Sequence, residues 1–291
     1  MNVFITFCIF IFILFLYVHI NDQLSKSEDL EIYEMDYVSN QHLQSICNVK
    51  QPVLFEFQVP EFTKKLTDIS KEDNIDIKVW DTDDYSKTCT PSYILLPFSS
   101  AIGLFKTDTK GHYFTERNQD FLEEIDFVSE IRELDPLLKP NFTAHTHYEY
   151  INGSTGTTTP LRYHTGDRKF IFVTSGKISV KMTPWRSKKY LDPVADYENY
   201  EFYSRMNPWT SEPNEMLRFL DFEVVAGYVL VVPAYWWYSY KFSSVDTSAI
   251  GIEYKTIMNL CAHSTDIGRY YLQFHNTKKV TARTLSIDSP I

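Results

Sequence analysis

Three groups of residues in this 291-residue chain have types and spacings that suit chemistry. In "AHTHYEY", His145, His147 and Glu149 alternate, so on a strand they share one face, and two imidazoles with a carboxylate are acceptable metal ligands. Arg162 and His164 in "LRYHTG" are also two apart, which turns both side chains the same way and lets His164 complete such a set. The third group is "VLVVPAYWWYSYKF", residues 229–242, where a β-branched run reaches a proline and six rings follow in eight residues. Trp236, Tyr238, Tyr240 and Phe242 fall on one side of that strand, and Trp237, Ser239 and Lys241 on the other. Rings bring apolar area, and each Tyr or Trp adds a polar atom that wants a partner, so one side of this strand is core or pocket wall. Nucleophilic catalysis has no support: there is no Gly-x-Ser-x-Gly, no Cys beside a plausible base and no phosphate-cradling Gly-rich loop.

The elements that must position these residues are mostly strands. "FTAHTHYEYI", "KFIFV", "KISVKM", "EVVAGYVLVVP", "WWYSYKF" and "SAIGIEYK" are β-rich pieces bounded by Gly, Ser, Thr, Asn or Pro, the texture of a sandwich or barrel. "TSGK" at 174–177 is a tight turn between two of them. One helix is predicted over 120–134, "DFLEEIDFVSEIREL", with Phe121, Ile125, Val128, Ile131 and Leu134 on one stripe and Asp135-Pro136 ending it. It should lie on the sheet.

Ahead of these stands "VFITFCIFIFILFLYVHI", residues 3–20, apolar apart from Thr6 and His19 and long enough to cross roughly 30 Å of hydrocarbon. No Lys or Arg precedes it, and "YVHIND" is a poor cleavage site, so it reads as an uncleaved anchor. Residues 1–21 are therefore expected to be a transmembrane segment, 22–31 a polar linker, and 32–291 the folded part of a single-pass membrane protein. Lys26 alone among acidic neighbours gives no orientation. A net charge of -10 argues against a nucleic-acid partner, which needs clustered Lys and Arg. Cys47, Cys89 and Cys261 allow at most one bridge among themselves, and no cysteine spacing suits a metal. Nine glycines against 20 tyrosines and 21 phenylalanines is a balance that an AT-rich coding sequence produces, as in large DNA viruses or protists.

"TPLRYHTGDRKFIFVTSGKISVKMTPW", then "YLDP", then "FEVVAGYVLVVPAYWWYSYKF" resembles the cupin-like JmjC hydroxylases in order, spacing and side-chain type over roughly residues 155–255. "VKQPVLFEF" is similar to the family's Lys-Pro-Val strand, which extends the likeness back to about residue 32. The resemblance implies a mainly β fold, a double-stranded β-helix of the cupin or jelly-roll kind with flanking helices, behind one N-terminal transmembrane helix. It also implies Fe(II) held by His-x-Asp and a distal His, with 2-oxoglutarate beside it.

At those three places this chain has Arg162, His164 and Tyr238. A guanidinium stays protonated, cannot ligate and repels a divalent cation, and a phenol with a pKa of about 10 is a poor ligand. No cofactor is therefore expected. The expectation is a pocket packed or narrowed by Trp236, Tyr240 and Phe242, with Arg162 stacked on Tyr238 or Trp236. Thr159 and Lys177 match by spacing the family's contacts to 2-oxoglutarate, and with Arg162 they would make a cationic corner for a small carboxylate. The function implied is a membrane-anchored, non-catalytic binding or structural module of a virion or internal membrane, with a protein or small carboxylate as partner. The alternatives are a divergent Fe(II)/2-oxoglutarate hydroxylase using His164 with His145, His147 or Glu149, and a carboxylate sensor.

Overall fold

A computed structural model describes residues 3–57, 75–87, 91–210 and 216–276. Cys89 lies outside them, and Cys8, Cys47 and Cys261 are free thiols. The first element, helix α1 (Val3–Leu24), has 22 residues, an 18-residue stretch of mean hydropathy 2.8 and no buried side chain. At 1.5 Å per residue it is about 33 Å long, enough to cross a membrane. Its half-covered positions Leu16, Ile20 and Gln23 form one stripe, and the helix packs against a short helix at Ile257–Ala262.

The strands run in chain order as β1 (Tyr33–Met35), β2 (Val53–Glu56), β3 (Asp76–Asp81), β4 (Tyr93–Pro97), β5 (Tyr113–Thr115), β6 (Thr143–Gly153), β7 (Leu161–Tyr163) and β8 (Arg168–Ser175). They continue as β9 (Lys177–Thr183), β10 (Pro193–Asp196), β11 (Glu201–Ser204), β12 (Leu220–Val225), β13 (Tyr228–Pro233), β14 (Trp237–Phe242) and β15 (Ser248–Thr256). Nine of them form one sheet in the order β1-β2-β13-β8-β15-β6-β5-β3-β4, and six form the other in the order β10-β11-β7-β14-β9-β12. The protein is thus mainly β, with two large sheets and an N-terminal apolar helix. From β6 to β9 and from β12 to β15 successive strands alternate between the sheets.

Period-two alternation divides the core. Ile151, Ile171, Val173, Ala249 and Leu230 of the large sheet meet Ile178, Val180, Met182, Tyr238, Tyr240 and Phe242 of the small one in a single buried cluster. The opposite faces of β6, β8, β13 and β15, with Tyr148, Phe170, Val231 and Ile252, pack under the helices instead. Trp237 turns outward to Leu161, Leu191 and Leu217, as the alternation on its strand requires.

Two sequence expectations change in detail. "EVVAGYVLVVP" is two strands in different sheets, because Gly227, at φ 90, lets the chain break between β12 and β13. The single helix over 120–134 is broken into Gln119–Glu124, Val128–Ile131, a 3-10 turn at Arg132–Leu134 and a last turn at Asp135–Leu138. Asp126 adopts φ 53, with Phe127 N–H bonding Leu122 O at 2.9 Å and Asp126 N–H bonding Glu123 O at 3.1 Å, a Schellman stop with aspartate in the usual glycine place. Pro136 then starts the final turn, where its missing N–H costs nothing. The stripe survives the break, since Phe121, Val128, Ile131 and Leu134 are all buried against the large sheet.

Residues 25–32 are more than a spacer. Lys26 Nζ lies 4.0 Å from the Trp185 ring centre, Glu28 accepts the Arg186 backbone N–H at 3.0 Å, and Leu30 and Ile32 pack on the inter-sheet core.

Candidate functional site

Arg162 is the centre of β7, opposite Tyr238 on β14 and Tyr203 on β11. Its guanidinium reaches the loop after β5 and takes Glu116 through both terminal nitrogens, Nη2 to Oε2 at 2.8 Å and Nη1 to Oε1. Nη1 also donates to Glu201 Oε1 at 3.2 Å. Tyr240 O–H donates to Glu116 Oε2 at 2.9 Å, so one carboxylate ties the guanidinium to the aromatic strand. Next in the chain, Arg117 pairs with Glu201 Oε2 at 3.0 Å, covers the Trp80 ring at 4.5 Å and donates its backbone N–H to Glu149 at 3.1 Å. Lys169 closes the set by pairing with Glu149. Three cations therefore meet three carboxylates, all buried except Arg117, whose side chain is 22% exposed.

Burial of these ions is unfavourable unless each charge is matched and hydrogen-bonded. The directions of protonation reflect that competition. For Arg162 and Lys169 burial pulls the pKa down, but Glu116 and Glu201 in one case and Glu149 in the other outweigh it and leave both raised. Burial pushes the Glu149 carboxyl up and Lys169 brings it below its ordinary value, whereas at Glu201 burial wins over Arg117 and Arg162. Burial also raises the Tyr238 and Tyr240 phenols, so both stay protonated.

Beside this network is a cavity of about 410 Å³, lined by Arg162, Tyr238, Glu149, His147, His164 and Lys169, with Glu253, Lys255 and the rings of Trp80, Tyr93 and Tyr200. The strands that line it change character along their length. On β6 the inward positions run His147, Glu149, Ile151, and on β15 they run Glu253, Gly251, Ala249, charged at one end and apolar at the other. Gly251 is required there: a Cβ would come within 2.5 Å of the Glu149 side chain. Burial raises the Glu253 carboxyl, but Lys255, His164, Lys169 and His147 reverse this and hold it at about 2.

His164 Nε2 lies 3.0 Å from Val232 O, and a carbonyl only accepts, so Nε2 carries the proton. Burial lowers the pKa of the ring, leaving it neutral with a buried Nδ1 that has no hydrogen-bond partner. His147 is likewise lowered by burial and faces the same space.

The residues singled out in the sequence separate into three groups. Arg162, His164, Tyr238, His147 and Glu149 converge on the cavity. Trp236, Tyr240 and Phe242 share the inner side of their strand, Tyr240 and Tyr238 stacked with centroids 6.5 Å apart, but they form its packed floor and leave the cavity open. Thr159, Lys177 and His145 lie elsewhere. Thr159 Oγ1 accepts the Tyr240 backbone N–H at 3.1 Å, a strand-end bond. Lys177 shares the outer face of β9 with Ser179 and Lys181 and pairs with Glu223 at 2.9 Å, so alternation turns it away from Arg162 and no cationic corner forms. His145 is exposed on the open end of β6 and bonds the Thr146 carbonyl.

Arg162 does not lie on a ring as expected; its two terminal nitrogens are taken by carboxylates, and Lys169 is the cation over Tyr238, at 5.7 Å. The donor set does not suit Fe(II): a paired guanidinium, a protonated phenol and an imidazole bonded to a backbone carbonyl stand where the resemblance would put three ligands. Among the described residues, Asp81, Asp83 and His112 are the one group whose carboxylate and imidazole donors lie within 4.8 Å of one another, and they are outside the cavity. His147, Glu149 and His164 line one space without converging on a point.

Sequence reasoning missed Glu116, Glu201, Arg117, Lys169 and Glu253. Lys169 and Glu253 carry a usable signal, since alternation puts them on the face of Ile171 and of Ala249. The glutamates on Arg162 are 46 and 39 positions away in loop or short-strand context, and nothing local marks them. Compared with known proteins, the chain matches no protein-family model and no curated protein.

Proposed function

We propose that this chain is a membrane-anchored protein built on a cupin-like, JmjC-type double-stranded β-helix whose iron centre has been replaced by a buried ion-pair network, and that it serves as a non-catalytic binding or structural module. Support for the fold comes from the strand order: β6-β15-β8-β13 faces β7-β14-β9-β12, the interleaving that a strand pair wound into a helix produces. The observation that carries the functional reading is Arg162, held by Glu116 and Glu201 where the resemblance would put the first ligand. A fixed positive charge in that spot opposes a ferrous ion, and its two carboxylates are already spent on it.

The test is anaerobic reconstitution of the full chain in detergent with Fe(II) and 2-oxoglutarate. The expected result is less than stoichiometric iron and no succinate above a protein-free control. Stoichiometric iron with succinate formation, both abolished by His164→Ala, would reverse the reading in favour of a divergent hydroxylase. A rise in melting temperature with dicarboxylates that Lys177→Ala removes would favour the carboxylate sensor, although Lys177 and Arg162 face different sides of their sheet.

A further inference from the structure

We propose that the basic 3-10 turn Trp185–Tyr190, docked at the base of α1, binds anionic phospholipid headgroups of the bilayer that α1 crosses. The proposal rests on α1 being a membrane anchor, and its test separates the two.

The apolar part of α1 ends at Ile20, and Asn21–Leu24 add about 6 Å of polar helix, the depth of one headgroup layer. Two residues later Lys26 reaches the turn, its Nζ 4.0 Å from the Trp185 ring centre and 4.6 Å from that of Tyr235. Glu28 fixes the turn again through the Arg186 N–H. The turn therefore sits at the outer edge of the headgroups, by a connection too short to swing away.

Its chemistry suits that place. Arg186 and Lys189 are exposed, Lys188 lies 4.4 Å from the same Trp185 ring that holds Lys26, and a cleft of about 290 Å³ is lined by Arg186, Lys189, Tyr190 and Arg218. Among the described residues none of Arg186, Lys188, Lys189 or Arg218 has a carboxylate in ion-pair contact, in a chain whose net charge is -10. The nearby acids are engaged: Asp22 with Lys50 at 3.8 Å and Glu28 with the turn itself. Burial and the adjacent Lys188 both push the Lys26 ammonium down, and Glu28 offsets them only in part. A Trp and a Tyr bracketing three basic residues is also the composition that settles at a membrane interface.

The experiment places the full chain in nanodiscs of phosphatidylcholine alone and of phosphatidylcholine with about one-fifth phosphatidylserine, and follows amide hydrogen exchange over 185–190. Exchange is expected to slow about fivefold in the anionic discs only, the factor one basic side chain near such a surface is worth. High salt, and the surface variant R186Q/K188Q/K189Q, should each abolish the slowing. Equal exchange in both discs with the chain fully incorporated would overturn the proposal and leave the anchor standing. A chain that alkaline carbonate strips from both discs would remove the anchor and the proposal together. Slowing that persists at high salt, or that inorganic phosphate reproduces in neutral discs, would show a site not made for the bilayer and would also overturn it.

Discussion

The two ends of the space between the sheets use the same strands and opposite physics. At one end Ile178, Val180, Val173, Tyr240 and Phe242 pack ring against aliphatic chain, where stabilisation grows with buried area and a similar shape can replace a lost one. At the other, Arg162, Arg117 and Lys169 meet Glu116, Glu201 and Glu149, and each charge is tolerable only while its partners remain. The apolar end is forgiving of change. The charged end is all or nothing.

Breaking the charged end should give the largest effect. Arg162→Met leaves Glu116 buried without its main counter-charge and takes one of two cations from Glu201, and it is expected to cost about 3–5 kcal/mol by thermal or chemical denaturation of the detergent-solubilised chain. Adding E116Q, which leaves Glu201 to Arg117, should restore much of the loss; no recovery would mean that Arg162 acts by packing alone. At the apolar end Phe242→Leu, against the tight contact that Phe242 makes with Gly153, should cost only about 1–2 kcal/mol.

The pH dependence sharpens the contrast, because only the charged end titrates. His147 and His164 have lowered pKa values in the fold, so the unfolded chain takes up protons first as pH falls below about 6.5, and stability drops there. Glu253 adds a second loss between about 4.5 and 2, as its carboxyl, ionised in the fold, is protonated in the unfolded chain before the folded one. Melting temperature should therefore decline from pH 7.5 to 5, and the double variant H147N/H164Q should flatten that part of the profile. The smallest effect belongs to Lys177→Ala, which removes a half-exposed pair with Glu223 and should change stability by less than about 1 kcal/mol. A larger loss would mean that Lys177 reaches the interior after all.

Much of the fold was legible because it depends on short-range regularities. Most strands of residues 142–255 emerged from alternation and turn residues, β10 and β11 excepted, and the side of β14 that carries Trp236, Tyr238, Tyr240 and Phe242 followed from counting by twos. The helix over 120–134 failed at Asp126, where the apolar stripe continues through a residue in the left-handed region and periodicity alone does not see the break. Lys177 failed for a related reason: spacing matched it to a family position, but alternation on β9 sends it outward.

By itself the sequence determined that an apolar helix leads a β-rich chain, that Arg162 and His164 point the same way, and that neither Arg162 nor Tyr238 suits a ferrous ion, because those follow from residue chemistry and periods of two or 3.6. Only the tertiary structure decided that Glu116 and Glu201 neutralise Arg162, that a chamber survives above the rings, and that Arg186, Lys188 and Lys189 stand at the foot of α1. Those are long-range pairings between charges, and charge complementarity carries no period along the chain by which it can be read in advance.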